Sequence, residues 1–131
     1  MRLASIIAAL AVTVLAGALG VAQAQVNQPA AAVPLVRQLA SDATTPVLLR
    51  AAALDVAPGA LGSGAPAFLV RFLRDPEARM RRGSAEGLAA SGTAGCRLLL
   101  TEARRQPPAD LPATTIAACE SRLRAASSQN H

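Results

Sequence analysis

The sequence predicts an all-α protein, and three observations lead to that prediction. Alanine, leucine and arginine dominate the chain, and these residue types favour helices over strands. Phe68 and Phe72 are its only aromatic residues, so the aromatic enrichment typical of strands is missing. Beyond the first two dozen residues, apolar side chains recur at the three- and four-residue spacing of helix faces, between proline and glycine breaks.

The N-terminal segment 1–24 has the composition of a cleaved export signal. Arg2 supplies a positive start, residues 3–19 are an almost unbroken apolar run, and Ala22 and Ala24 form the small-x-small pattern of a signal peptidase site. We predict cleavage before Gln25 and a mature, periplasmic or secreted protein that spans positions 25–131. A retained membrane anchor is the alternative, because the apolar run approaches the roughly 18 residues at which spanning becomes plausible.

The mature chain divides into a short lead-in, one helical domain and a tail. Residues 25–32 are predicted to be flexible, residues 33–126 to form the domain, and residues 127–131 to be a disordered polar tail. A first helix begins at Val33 and fades near Ser41. The domain has room for one modest core.

The second and third predicted helices are separated by a linker. Thr44 or Thr45 is the expected cap of the second helix, with Pro46 in its first turn. The glycine-rich stretch 58–64 is the clearest linker, and Pro66 opens the third helix. The stripe of that third helix is predicted to be core: Phe68, Leu69, Phe72 and Leu73.

The remaining three helices are bounded by similar helix-breaking and helix-capping residues. Asp75 and Pro76 end the third helix, and the fourth runs to about Ser91. The fifth begins at Thr93, and Asp110 is a plausible N-cap for the sixth.

The two cysteines are predicted to form a disulfide inside the last helical hairpin. Cys96 and Cys119 each lie on an apolar helical stripe, and both are equidistant from the break at Pro107 and Pro108. In an antiparallel hairpin such residues face each other, each about 12–14 Å from the turn. The bond would close a 24-residue loop, worth about 3.4 kcal/mol in the chain-entropy model. Two buried free thiols are the alternative.

An internal repeat predicts how the hairpins are arranged. The pattern Leu35-Val36-Arg37-x-Leu39 recurs further along the chain as Leu69-Val70-Arg71-x-Leu73, and Leu54 maps onto Leu88 with the same shift. A helical unit that repeats at this spacing is the signature of an α-solenoid, in which neighbouring hairpins bury each other's apolar faces.

Residues 71–92 resemble a HEAT repeat of the short bacterial type. The residues that occupy the positions of that family's pattern are Asp75, Pro76, Met80, Arg81, Ala85, Leu88 and Gly92. Gly83 and Gly87 stand where the family usually has alanine, and their small size would let helices approach closely. The resemblance implies a short right-handed α-solenoid of about three hairpins and a non-catalytic function in protein binding. It also implies that the turn aspartate and the early arginine contact neighbouring units structurally.

The candidate recognition residues are arginines, since all 13 basic residues are arginine and the mature chain carries about +4. Five of them crowd into one unit, namely Arg71, Arg74, Arg79, Arg81 and Arg82. Such a cluster could line a surface that binds carboxylates or phosphates.

The competing interpretation is solvated or structural charge. Glu77 and Arg81, and likewise Arg82 and Glu86, are one helical turn apart in sequence. The five arginines therefore stay candidates, with both interpretations open.

The sequence favours binding over catalysis. The only histidine is the chain-terminal His131, no Cys-x-x-Cys motif occurs, and no spacing gathers metal ligands or pairs a nucleophile with a base. We predict no enzyme activity, no cofactor, no nucleic-acid partner and only transient membrane contact through the signal peptide. The predicted function is interaction with another envelope or secreted protein. The alternatives are capture of small anionic ligands or an anionic envelope surface by the arginines, and a purely structural role beside another subunit.

Overall fold

Six α-helices and two 3₁₀ segments make up residues 29–130, the part of the chain that the computed structural model describes. They are α1 (Pro29–Ser41), α2 (Val47–Leu61), a 3₁₀ turn (Gly62–Gly64), α3 (Ala65–Leu69), a 3₁₀ segment (Val70–Arg74), α4 (Ala78–Ala90), α5 (Gly92–Arg105) and α6 (Ala113–Gln129). This range contains no strand, so the all-α prediction is confirmed. The chain divides between Pro34 and Leu35, and every contact described below lies within the second unit, residues 35–131, which is compact.

The packing places α4 at the centre of the second unit. α4 packs against α2, against the 3₁₀ segment 70–74 that precedes it, and against α5 and α6. α5 packs against α6 and also touches α3. The 3₁₀ segment with α4, and α5 with α6, thus form two consecutive helical hairpins.

One apolar core joins these elements. The predicted stripe of the third helix is confirmed as core, since all four of its residues are no more than 6% exposed. The largest fully buried apolar side chains come from four helices and the 3₁₀ segment: Leu54, Leu69, Leu73, Met80, Leu88 and Leu99. The two copies of the repeated motif do not bury the same positions, however: Leu35 is 55% exposed, whereas its counterpart Leu69 is fully buried.

The predicted disulfide is present in the last hairpin. Cys96 on α5 and Cys119 on α6 are bonded, with their Cα atoms 5.0 Å apart and both side chains buried. Each cysteine lies on the core-facing stripe of its helix, as the spacing about the two prolines predicts. The bond therefore fastens α6 to the rest of the core.

The glycine-rich stretch 58–64 is not the linker that the sequence predicts. α2 continues through Pro58 and Gly59 to Leu61, and only Gly62–Gly64 form a turn. Pro58 lacks the N–H that would bond to the Leu54 carbonyl. The helix nevertheless persists, because its buried face packs against α4.

Helix starts are the other boundaries that differ from prediction. Neither Thr44 nor Thr45 caps α2; Thr44 instead donates from its backbone N–H and hydroxyl to Asp42 Oδ1, at 2.9 and 2.6 Å. Asp110 does not cap α6, which begins at Ala113; its backbone has a φ of +61°.

The ends of the domain also extend further than predicted. α1 begins at Pro29, inside the predicted lead-in 25–32, and α6 continues to Gln129, inside the predicted tail. Hydroxyls of Ser127 and Ser128 donate to carbonyls one turn earlier in α6. Residues 25–28 of the lead-in lie outside the described residues, as does His131.

Glycines on α4 and α5 mark close approaches between helices. A Cβ added at Gly83 would meet Leu54 at an ordinary 3.5 Å, whereas one at Gly87 would lie 3.1 Å from both Leu69 methyl carbons. Gly95 on α5 is tighter still, because an added Cβ would overlap the carbonyl oxygen of Leu88 on α4. Glycine is required there for α4 and α5 to pack at this separation.

The stretch Val47–Arg74 is long and apolar enough, by length and composition, to cross a membrane. In the structure this stretch is divided among α2, α3 and two 3₁₀ segments. It also holds Arg50, which is buried and ion-paired. The stretch supplies core packing within the domain, and a third of its 18 most apolar consecutive residues are buried.

Candidate functional site

The five arginines that are close in sequence lie on two different segments. Arg71 and Arg74 belong to the 3₁₀ segment, and Arg79, Arg81 and Arg82 belong to α4. Successive helical residues point about 100° apart, so these guanidinium groups do not share one surface. Each makes different contacts.

Arg81 is held by contacts within the protein. Its Nη1 donates to the carbonyls of Asp75 and Pro76, both at 2.8 Å, and its Nη2 bonds to Asp110 Oδ2 at 2.6 Å. Its Nε donates to the Ala109 carbonyl at 3.3 Å. Arg81 thus joins the turn before α4 to the loop before α6. It pairs with Asp110 rather than with Glu77, which lies one helical turn earlier in sequence.

A second arginine, Arg50, makes an equivalent link from α2. Its Nη2 bonds to Asp75 Oδ2 at 2.9 Å, its Nε donates to the Ala40 carbonyl, and both side chains of the pair are at most 10% exposed. Asp75 Oδ1 also accepts the Glu77 backbone N–H at the start of α4. Arg50 therefore reaches from α2 to the aspartate in the turn before α4. Arg81 likewise reaches from α4 to the aspartate in the loop before α6.

Sequence reasoning missed Arg50. The HEAT pattern that residues 71–92 resemble places an arginine directly after an early apolar residue of the second helix. At the corresponding place in α2, Val47 is followed by Leu48. Arg50 lies one helical turn further along and reaches the same kind of partner. Its position near the start of a long helix, upstream of a turn aspartate, was the available signal.

Arg74 is tied to the end of α5. Its Nη2 lies 3.4 Å from Glu102 Oε2 and donates to the Gln106 carbonyl at 3.1 Å. Glu102 also contacts Arg105, at 3.6 Å. Because the Arg74 side chain is 40% exposed, this is a surface interaction of modest strength.

Arg71 stacks on aromatic rings together with Arg37, which the sequence did not single out. The Arg71 guanidinium lies 5.8 Å from the Phe68 centroid and 6.0 Å from that of Phe72, and the Arg37 guanidinium lies 5.1 Å from Phe68. The rings themselves meet edge to face at 5.2 Å. Arg37 and Arg71 are the arginines of the repeated motif, so the repeat was the available sequence signal that the two residues have related positions.

Arg79 and Arg82 border a groove of mixed charge. The groove lies between α2 and α4, and Asp55 and Glu86 line it as well. Among the described residues neither arginine has an acidic oxygen within 4.0 Å. Two carboxylates beside two guanidinium groups leave little net attraction for a free anion.

The outer flank of α2 is unusually apolar for an exposed surface. Leu48, Leu49 and Val56 are 62%, 52% and 55% exposed, and Ala52 between them is exposed too. The spacing from Leu48 through Ala52 to Val56 is four residues each time, so these side chains form one stripe. The stripe is separate from the flank that packs on α4.

The Asp42 carboxylate has a lowered pKa. Hydrogen bonds from the Thr44 hydroxyl and backbone N–H hold the pKa of Asp42 below its ordinary value of 3.8. Asp42 lies in the exposed turn between α1 and α2. Its role is to shape that turn.

Across residues 29–130, no three histidine, cysteine, aspartate or glutamate side chains gather in a way that could hold a metal ion. Cys96 and Cys119 are bonded to each other. The predicted cleavage site, Ala22, Ala24 and Gln25, lies outside the described residues.

Comparison with known proteins adds no relative: no protein-family model, no curated protein and no solved structure matches this chain.

Proposed function

We propose that this protein is an exported, non-catalytic protein-binding module with a HEAT-like, right-handed solenoid of three helical hairpins. Two consecutive hairpins and the two arginine–aspartate links support this arrangement. Arg50 reaches from α2 to Asp75, and Arg81 reaches from α4 to Asp110. A contact that recurs between successive units is what stacked repeats require.

The disulfide fits the compartment in this proposal. Bonded cysteines persist in oxidising environments such as the periplasm or the extracellular space. The export signal predicted for residues 1–24 would deliver the chain to either place. The expected location is therefore periplasmic or secreted.

The exposed stripe of α2 is the observation that carries the binding proposal. α2, α4 and α6 lie side by side, and α2 stands at one end of that row. The outer side of α6, at the other end, is polar and includes Glu120 and Arg124. Solenoids need polar outer faces at their ends, so an apolar α2 leaves one end open to a partner.

The proposed occupant is an amphipathic helix of another envelope or secreted protein. Such a helix would pack on the outer flank of α2 much as α4 packs on its inner flank. Ala52 would permit close approach at the centre, between the larger Leu48 and Val56. Asp55 is the only exposed charge on α2, so the interface would depend little on salt.

A capture experiment tests this function. Tagged, oxidised residues 25–131 are incubated with envelope extract, eluted with a salt gradient, and the retained proteins are identified and cross-linked. We expect one protein, held to high salt through an amphipathic helix. Leu48→Asp should abolish capture, whereas Ala118→Asp, which introduces the same carboxylate at an exposed position of α6, should not.

Two results would overturn the proposal. One is capture that Leu48→Asp leaves unchanged. The other is retention at low salt only, lost when Arg79 and Arg82 are changed to glutamine, which would favour the alternative of anion capture. Capture of a small anion by the arginines of α4 has weaker support, because Arg81 is engaged within the protein and Arg79 and Arg82 share their groove with acids.

A further inference from the structure

Positive charge is concentrated on alternate helical segments. α1, the 3₁₀ segment 70–74 and α5 together carry a single acidic residue, Glu102, and six exposed arginines. These are Arg37, Arg71, Arg74, Arg97, Arg104 and Arg105. Arg104 borders a groove shared with Glu120 on α6, and Arg97 lies two turns earlier on the same flank of α5. We call the other four the basic face.

The other helices have no such excess. α2, α4 and α6 also carry six arginines, but three acidic residues lie on the same helices and four more lie in the turns and at the helix starts around them. Two of those arginines, Arg50 and Arg81, are paired with aspartates. The net positive charge of the mature chain therefore resides on the first group of segments.

The arginines of the basic face are connected through shared partners. Arg37 and Arg71 both stack on Phe68, and Arg74 and Arg105 both contact Glu102. Arg71 and Arg74 are three residues apart in a 3₁₀ segment, where such side chains lie one above the other. The face is thus continuous from α1 to α5.

Two of these arginines keep their charge available. Among the described residues Arg37 and Arg71 have no acidic partner within 4.0 Å. Stacking on Phe68 orients both guanidinium groups without neutralising them. A guanidinium presented in this way can donate two hydrogen bonds to one phosphate.

We infer that the basic face binds the anionic phosphate headgroups of a phospholipid bilayer and holds the protein against the membrane surface. An extended row of separate guanidinium groups suits a surface that carries many phosphates. The rings beneath them are buried, with Phe68 2% and Phe72 6% exposed, so they offer no platform for stacking the bases of single-stranded nucleic acid. The face is distinct from the α2 stripe, so a protein partner could bind at the same time.

Flotation with lipid vesicles tests the inference on the full chain. One set of vesicles contains phosphatidylglycerol mixed with phosphatidylcholine, and the other contains phosphatidylcholine alone. The second set measures any uptake through the apolar residues 3–19, which every variant shares. We expect preferential binding to the anionic vesicles, lost at high salt.

A matched pair of variants locates the site. Each arginine near an anionic surface contributes about a fivefold change in partition, so Arg37→Gln/Arg71→Gln should weaken binding by about 25-fold. Arg79→Gln/Arg82→Gln has the same net charge and should bind almost as well as the parent chain. Arg37→Lys/Arg71→Lys keeps the charge and should retain most of the binding, and circular dichroism verifies that each variant is folded.

Three results would overturn the inference. Equal loss in both glutamine variants would mean that only total charge matters. Equal binding to the two kinds of vesicle would mean that the headgroup charge is not recognised. Binding to duplex DNA but not to anionic vesicles, with the same dependence on Arg37 and Arg71, would assign the face to nucleic acid instead.

Discussion

Replacing Arg50 with methionine tests the idea that a buried ion pair ties α2 to the turn that precedes α4. The guanidinium reaches from α2 to Asp75 at 2.9 Å and also donates to the Ala40 carbonyl at 3.0 Å. Methionine keeps much of the side-chain length and apolar area but has no donor. The substitution therefore removes the polar contacts with little loss of packing.

The expected loss of stability is large. Only 8% of the Arg50 side chain and 10% of the Asp75 side chain are exposed, so solvent screens the pair weakly. Removing one partner of a buried pair leaves the other charge uncompensated, which costs about 3–5 kcal/mol. Since small domains are stable by only about 5–15 kcal/mol, this is a substantial share.

Urea unfolding followed by circular dichroism measures the effect. Arg74→Met is the matched control, because its pair with Glu102 is longer, at 3.4 Å, and its side chain is 40% exposed. We expect the control to lose no more than about 1 kcal/mol. Adding Asp75→Asn to Arg50→Met should restore part of the stability, because it removes the unpaired charge while keeping an acceptor for Glu77.

The reasoning is refuted if Arg50→Met loses no more stability than Arg74→Met. In that case water would compensate Asp75, and the ion pair would not hold α2 to this turn. It is also refuted if the double variant is less stable than Arg50→Met, since the unpaired carboxylate would then not be the source of the loss.

Three further predictions concern packing, the disulfide and pH. Gly95→Ala should lower stability by about 1–3 kcal/mol, because its Cβ would overlap a carbonyl oxygen on α4; thermal unfolding measures this. Cys96→Ala/Cys119→Ala should lose about 3 kcal/mol in urea unfolding, because the 24-residue loop is no longer closed; a loss below about 1 kcal/mol would contradict the loop argument. Thr44→Ala should raise the pKa of Asp42 toward 3.8 in an NMR titration. Because the folded-state pKa is lowered, the stability from this contact is present above pH 3.8 and is lost as the pH falls through the folded-state pKa, so parent and variant should converge in acid.

Gly83→Ala is the control for Gly95→Ala. At Gly83 an added Cβ meets Leu54 at 3.5 Å, an ordinary contact, and alanine favours the helix by up to about 1 kcal/mol. This variant should be unchanged or more stable. Similar destabilisation by both substitutions would show that close approach at Gly95 is not the cause.

Local patterns in the sequence determined the helical class, the core stripe and the disulfide. Helix class follows from composition and periodicity, which act within a few turns of chain. The pairing of Cys96 with Cys119 could be predicted because, in a short antiparallel hairpin, residues at equal distances from the turn lie opposite each other. Whether residues 1–24 are cleaved, and which partner binds, stay predictions.

Only the tertiary structure decided which arginines are available for binding. Arg79, Arg81 and Arg82 are adjacent in sequence, yet Arg81 is held by Asp110, 29 residues away, while the other two border a mixed-charge groove. Arg37 and Arg71 belong to different copies of the repeated motif, yet their guanidinium groups share one ring. The physical reason is that a charge is neutralised or left free by neighbours across the helix packing, and sequence distance does not specify those neighbours.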